Sequence, residues 1–289
     1  MFSPSFDYYR AGSIAEVQKL WAEHPDAKVL AGGHSLIPLL KLRLTAPAAL
    51  IDIGRIAALK GFKASGGTIR IGALTTHAEL AASKELVSGC PILAEAAAQI
   101  GDAQVRNCGT IGGNIVHADP ASDLPTVLLA LDATFTVAGP KGERTIPAAK
   151  CFEGVMTTSI GEREILTTID VPSLKSGDGS SYVKFIHPAS RYAVIGVAAI
   201  VSMKDGKCTG ARVAIGGLVP AAARLTAVEQ ALVGSAPSAE TLAKAAALVS
   251  KSLGNDLLGD LFASAEYRAA VAPVYVKRAL AAAFERAGK

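Results

Sequence analysis

Apolar positions recur along the chain with two different periods, and the two periods are distributed unevenly. Ser13 to Trp21 carries apolar residues at helical spacing, and Lys28-Val29-Leu30 reads as a short buried strand running into a glycine pair. Ser35 is placed to cap a helix from Leu36 to Leu44, with Pro38 tolerated in its first turn. Leu50-Ile51-Asp52-Ile53 is a second strand, and Ile69, Ile71 and Ala73 alternate as a half-buried strand after a Ser65-Gly66-Gly67 turn. Thr76 and Glu79, three apart, match a capping box. Pro91 to Ile100 has proline at its start and Gly101 at its end, as helices prefer. Asp119-Pro120 is a further helix start before the apolar run Leu124 to Leu131, and Ala133 to Val137 returns to strand.

The order changes after Ser173 to Ser180, a stretch rich in glycine, serine and charge that predicts a linker. Ser181–His187, Ala193–Met203 and Cys208–Gly216 then read as three antiparallel strands, the last two joined by Lys204-Asp205-Gly206-Lys207. Asp-Gly between apolar runs is a strong hairpin signal. From Leu225 the chain is helical, and Pro273 predicts a break or restart. The expectation is an α+β protein with one domain over 1–175 and a smaller one over 180–289.

Composition narrows the partners. With 289 residues and 50% hydrophobic content the chain can bury more than one core. Its net charge of +4 is scattered, which argues against nucleic acid. No run approaches the ~18 apolar residues of a membrane span. The opening Met1-Phe2-Ser3-Pro4 lacks the basic and apolar regions of a signal peptide, so the expected location is cytoplasmic. The four cysteines share no C-x-x-C spacing and read as buried small hydrophobes, and the five histidines are too dispersed for metal ligation. No residues are spaced as a catalytic acid–base or nucleophile set.

Two glycine segments carry the chemistry: Ala31-Gly32-Gly33-His34-Ser35-Leu36 and Thr110-Ile111-Gly112-Gly113-Asn114. Paired glycines leave N–H groups bare, and successive bare N–H groups form an anion-binding nest. Two such nests could grip a diphosphate, which points to a dinucleotide. Neither G-x-G-x-x-G nor a P-loop is present, so the site is of another type.

The segments Ala31 to Pro38, Ile71 to His77, Gln104 to Asn107 running into Thr110 to Asn114, and His117 to Pro125 resemble the FAD-binding medium subunits of molybdenum hydroxylases, of the carbon monoxide dehydrogenase and xanthine dehydrogenase type. The resemblance implies an FAD-binding domain of the vanillyl-alcohol-oxidase (PCMH) type, with subdomains of about 1–57 and 58–175, and a small C-terminal domain. It implies that Ala31 to Leu36 and Thr110 to Asn114 hold the FAD pyrophosphate, mostly through backbone N–H groups. Asp123 would accept a hydrogen bond from the sugar-phosphate arm, a helix-capping aspartate being the competing reading. Leu166 would meet the adenine or flavin edge. Lys184 would bring positive charge near the flavin, unless it is an exposed strand lysine. Tyr192 would stack on the ring, unless it is a core tyrosine; here Ser190-Arg191 precede it where relatives have Gly-Asp. His34 corresponds to a position that is covalently flavinylated elsewhere in the superfamily, but this family implies noncovalent FAD.

By the same resemblance, the chain would be the electron-transfer subunit of a complex. Its partners would be a small subunit with two [2Fe–2S] clusters and a large molybdopterin subunit, in a dimer of heterotrimers. Two rival readings are a stand-alone flavin-dependent oxidase or reductase and a non-redox nucleotide-binding module.

Overall fold

The computed structural model describes residues 2–287. The chain opens with β1 (Asp7–Arg10), α1 (Ile14–Glu23), β2 (Lys28–Leu30), α2 (Leu36–Lys41) and β3 (Ala49–Asp52). The strands form a parallel sheet in the order β1-β3-β2. The Ser13 hydroxyl caps α1 by accepting the Glu16 N–H at 3.2 Å, and the helix buries Val17 and Trp21 in a core that includes Ile51 and Ile53. Two expectations fail at α2. Ser35 makes no side-chain cap, because its backbone is already in the right-handed helical region and not extended. The helix also stops at Lys41 instead of Leu44, with Arg43 in the left-handed region at φ +57°.

The middle of the chain builds β4 (Phe62–Ser65), β5 (Thr68–Gly72), α3 (His77–Ala82), α4 (Lys84–Gly89), α5 (Pro91–Ala98), α6 (Ala103–Cys108), α7 (Ile111–His117) and α8 (Asp123–Ala130). It continues with β6 (Thr134–Gly139), β7 (Gly142–Pro147), a small hairpin of β8 (Phe152–Gly154) and β9 (Thr157–Thr158), and β10 (Ile165–Pro172). Five strands form an antiparallel sheet in the order β4-β5-β10-β6-β7. Thr76 and Glu79 make both halves of the capping box on α3. Helix α8 starts at Asp123, not at Asp119-Pro120; the Asp119 carboxylate instead accepts the Ala121 N–H in a turn. Every residue of α8 is buried, as expected of a helix covered on all sides.

The last part contains β11 (Asp178–Ile186), β12 (Ala193–Lys204), β13 (Lys207–Gly216), β14 (Ala223–Arg224), α9 (Thr226–Leu232), α10 (Ala239–Ala246) and α11 (Ala265–Ala287). The sheet has four strands where three were expected, the fourth being the two-residue β14. The expected linker is shorter than it reads, since β11 begins at Asp178 and only a tight turn at Lys175–Asp178 precedes it. Asp205 and Gly206 both take positive φ, as a two-residue hairpin turn requires. Pro273 neither ends nor restarts a helix: α11 runs through it. The proline removes one N–H, and the buried face containing Ala272, Val276, Leu280 and Phe284 holds the helix together.

Strand β12 joins the two halves of the molecule. Ala198 and Ile200 belong to the core shared with α5 and α8, whereas Ile195, Val197, Ala199 and Val201 belong to the core under α11. The strand therefore reads as an almost unbroken apolar run because both its faces are covered. Polar clamps reinforce the contact: Arg286 meets Glu95 at 2.8 Å and Arg224 meets Asp132 at 2.7 Å. Among the described residues no helix is long and apolar enough to cross a membrane, and no group of His, Cys, Asp and Glu is arranged to hold a metal. Cys90, Cys151 and Cys208 are buried as expected, but Cys108 is exposed at the end of α6.

Candidate cofactor site

The fold brings the two glycine segments together. A Cβ on Gly32 would overlap the Cys108 carbonyl and lie 2.8 Å from Gly109 Cα, so only glycine lets the first loop rest on the chain leading into the second. Gly33 sits at φ +74°, a left-handed conformation, and a Cβ there would come within 3.0 Å of Ile37 and 3.2 Å of Leu30. Gly113 turns its bare face toward Ala31, whose Cβ is 4.0 Å from where a Cβ would be. The exposed His34 is tied down by its Nε2–H, which donates to the Gln104 carbonyl at 3.1 Å.

The two segments differ in what their backbones offer. Among the described residues, no intrachain hydrogen bond engages the N–H groups of Gly32, Gly33, His34, Ser35 and Leu36. In the second segment four successive N–H groups are already occupied. Ile111 donates to Thr75 O at 3.0 Å, Gly112 to Ala73 O at 2.8 Å and Asn114 to Thr110 O at 3.0 Å. Gly113 donates to Thr110 Oγ1 at 3.1 Å, so the threonine caps α7. The expectation of two equivalent nests is corrected accordingly. Gly112 is required for packing: a Cβ would stand 2.7 Å from both Ala73 Cβ and Ala73 O. What the second segment leaves open is the exposed face of Gly113 and the buried Asn114 Oδ1, which has no partner among the described residues, while Nδ2 donates to Ser122 Oγ at 2.8 Å.

His77, which the sequence reading passed over, lies at this junction. It is 3% exposed, and its imidazole fills the space beside Gly109. Burial, followed by the nearby His34, pushes its pKa down to about 4, so the ring is neutral near pH 7. Its Nδ1 is buried without a partner among the described residues.

From Ser122 the site continues into a buried polar cluster. Lys184 Nζ lies 2.9 Å from the Asp123 carboxylate, and both side chains are almost completely buried. The Tyr182 hydroxyl donates to the same carboxylate at 2.6 Å, and Lys184 also donates to the Gln99 carbonyl at 3.3 Å. Lys184 is thus neither an exposed strand lysine nor an uncompensated charge, because Asp123 neutralises it. Burial pushes the Asp123 carboxyl up, with Lys184 and Tyr182 opposing the shift. Removing one partner of such a buried pair typically costs about 3–5 kcal/mol.

Tyr192 follows the left-handed Arg191 in the turn between β11 and β12 and is 42% exposed, so it is not a core tyrosine. Partial burial and the nearby Asp119 and Asp123 carboxylates raise its pKa. Leu166 lies apart: its side chain is 3% exposed within the core, paired across the sheet with Val137. It shares a core with Ile111 of the second glycine segment, and the carbonyl of its neighbour Thr167 accepts the Ala73 N–H.

These features fit a dinucleotide. They combine a row of free N–H donors for a diphosphate, an unpartnered amide oxygen able to accept from a hydroxyl, and a half-exposed aromatic ring for a flat heterocycle.

Comparison with known proteins agrees. Residues 4–174 match the family described as the FAD binding domain in molybdopterin dehydrogenase, and residues 180–283 match the CO dehydrogenase flavoprotein C-terminal domain. The chain is 42% identical over 289 residues to the 6-hydroxypseudooxynicotine dehydrogenase complex subunit alpha of Paenarthrobacter nicotinovorans, covering 99% of this chain and 97% of that protein. It is 39% identical to the carbon monoxide dehydrogenase medium chain of Hydrogenophaga pseudoflava, covering 99% of each. A solved structure of carbon monoxide dehydrogenase from the same organism superposes with a TM-score of 0.95 at 40% identity, again over 99% of each chain. Fold and site together define an FAD-dependent oxidoreductase component. The chain belongs to the FAD-binding medium subunits of the carbon monoxide dehydrogenase and xanthine dehydrogenase family.

Proposed function

We propose that the chain is the electron-transfer subunit of a molybdenum hydroxylase complex. It would receive electrons from the [2Fe–2S] clusters of a small subunit and deliver them to an external acceptor, while substrate is oxidised in a large molybdopterin subunit. What supports this reading is the row of free N–H groups at Gly32–Leu36, with Asn114 bonded to Ser122 next to the buried Asp123–Lys184 pair. Bound FAD would supply the one- and two-electron chemistry that joins the clusters to the acceptor.

The protein's own residues hold and orient. Ala31 to Leu36 would take the pyrophosphate on free backbone donors. Gly113 would allow close approach, and Asn114 Oδ1 would accept from the sugar-phosphate arm in place of Asp123, whose carboxylate is taken by Tyr182 and Lys184. The neutral Asp123–Lys184 pair would fix a dipole at the isoalloxazine end, and Tyr192 would cover one ring face. In this reading the FAD-binding unit spans 1–175, is of the vanillyl-alcohol-oxidase type, and is followed by the C-terminal unit over 180–289, whose last two residues lie outside the described ones. The assembly would be a cytoplasmic dimer of heterotrimers. Relatives 39% and 42% identical carry names that refer to carbon monoxide and to a hydroxylated nicotine derivative. Such different substrates on such similar medium subunits support placing substrate choice in a partner.

The test is the visible spectrum of the purified chain before and after acid precipitation. FAD released to the supernatant is the expected result. Colour retained in the pellet would overturn noncovalent binding and point to His34. A colourless protein that takes up no added FAD would overturn the reading.

A further inference from the structure

Tyr182 has no part in the site as the sequence predicts it, yet its side chain is buried there and held at the hydroxyl. It is 2% exposed, and its hydroxyl reaches Asp123 only because residue 196 on the neighbouring strand is glycine: a Cβ there would collide with the hydroxyl. Tyr182 and Lys184 are two apart on β11, so both side chains leave the same face of the sheet and converge on one carboxylate. The Tyr182 N–H is itself held, donating to Glu95 at 3.1 Å, and Glu95 is clamped by Arg286. The tyrosine is therefore fixed at its backbone and at its hydroxyl.

A lysine ammonium is a point charge with three rotatable donors and imposes little orientation on a carboxylate. The phenol is directional and approaches along one line. We infer that Tyr182 is a positioning residue: its hydroxyl sets the rotation of the Asp123 carboxylate and thereby where the Lys184 ammonium is held. The placement of that ammonium at a flavin rests on the function proposed above; the coupling of Tyr182 to Asp123 does not. The groups facing the carboxylate are Tyr182 and Lys184 from β11 and Tyr192 from the turn before β12, with Asp119 beside Tyr192. The Gln99 carbonyl shares the ammonium. Burial already raises the Asp123 carboxyl, so loss of a donor to its ionised form raises it further.

The experiment uses the full chain as wild type, Y182F, D123N and the double variant. In aspartate carboxyl-labelled protein, NMR titration of Asp123 in Y182F is expected to move upward by about one pH unit, the equivalent of one charge-assisted hydrogen bond. The dissociation constant for added FAD is expected to rise about tenfold in Y182F, and this effect should vanish in the D123N background. An unchanged Asp123 titration in Y182F overturns the inference. So does equal weakening in both backgrounds, which marks a packing role only. If wild-type protein takes up no FAD, the proposed function fails while the titration still decides Tyr182. That titration needs only wild type and Y182F, so it stands even if D123N does not fold.

Discussion

The two glycine segments look alike in sequence and do opposite work in the fold. Among the described residues, Gly32 to Leu36 keep five N–H groups free of intrachain partners, whereas Ile111 to Asn114 have all four engaged. Both need glycine for close approach, but one approach opens a surface and the other closes a core. Gly32 and Gly33 shape a loop that lies on another stretch of main chain, while Gly112 is pressed against Ala73 inside the protein. A Gly-Gly pair thus reports that two backbones meet; whether it also reports a ligand depends on what the N–H groups already hold.

The difference predicts different failures. The largest effect is expected from Gly112→Val, where the new side chain has no room beside Ala73. Overpacking of this kind should cost about 3 kcal/mol, or roughly 8 °C of melting temperature. A thermal melt close to wild type would mean that α7 can shift and that the second segment is less closed than described. Next is acidification, which probes the buried imidazole at the junction. His77 is depressed to about 4 from the ordinary 6.5, so the unfolded chain takes up a proton first as pH falls. Stability should decline from about pH 6.5 and level off below about pH 4, by roughly 3 kcal/mol from this group. His77→Phe should flatten that part of the stability–pH curve, and an unchanged slope would assign it to other groups.

Gly33→Ala sharpens the comparison from the other side. It places a side chain in the left-handed region, at about 1–2 kcal/mol, and should weaken FAD binding about tenfold or more while the protein stays folded. Fluorescence titration with FAD, read beside a melt, separates the two: an intact affinity would remove the first loop from the site. The smallest effect is expected of Asn114→Ala, which loses one hydrogen bond to Ser122 and the free Oδ1. A stability change of about 1 kcal/mol with a several-fold weaker FAD complex is expected. A pure stability loss would make Asn114 a structural tie only.

Much of this was legible before the fold was known, because the signals are local. The capping box at Thr76 and Glu79, the Asp205-Gly206 turn and the two glycine segments depend on near neighbours or on backbone sterics. What stayed hidden depends on residues far along the chain. The N–H groups of Ile111 and Gly112 are taken by carbonyls of Thr75 and Ala73, which no local pattern foretells. Lys184 is legible only by resemblance, as a positive charge near the flavin; that it pairs with and is neutralised by Asp123, with Tyr182 as third partner, is a tertiary fact. The helix runs through Pro273 for a non-local reason too, since packing against the sheet outweighs one missing hydrogen bond.

Helix α8 is enclosed by the core of the middle region on one side and by β12 and β13 on the other, and all of its residues are buried. Neither half of the molecule can therefore melt without stripping the other of a wall. Cutting the chain at the exposed Lys175–Ser176 turn should not release an autonomous carboxy-terminal fragment; the two pieces should stay associated and unfold in one cooperative step. Recombining the C-terminal unit with a foreign partner would need the facing surface of α8 to travel with it.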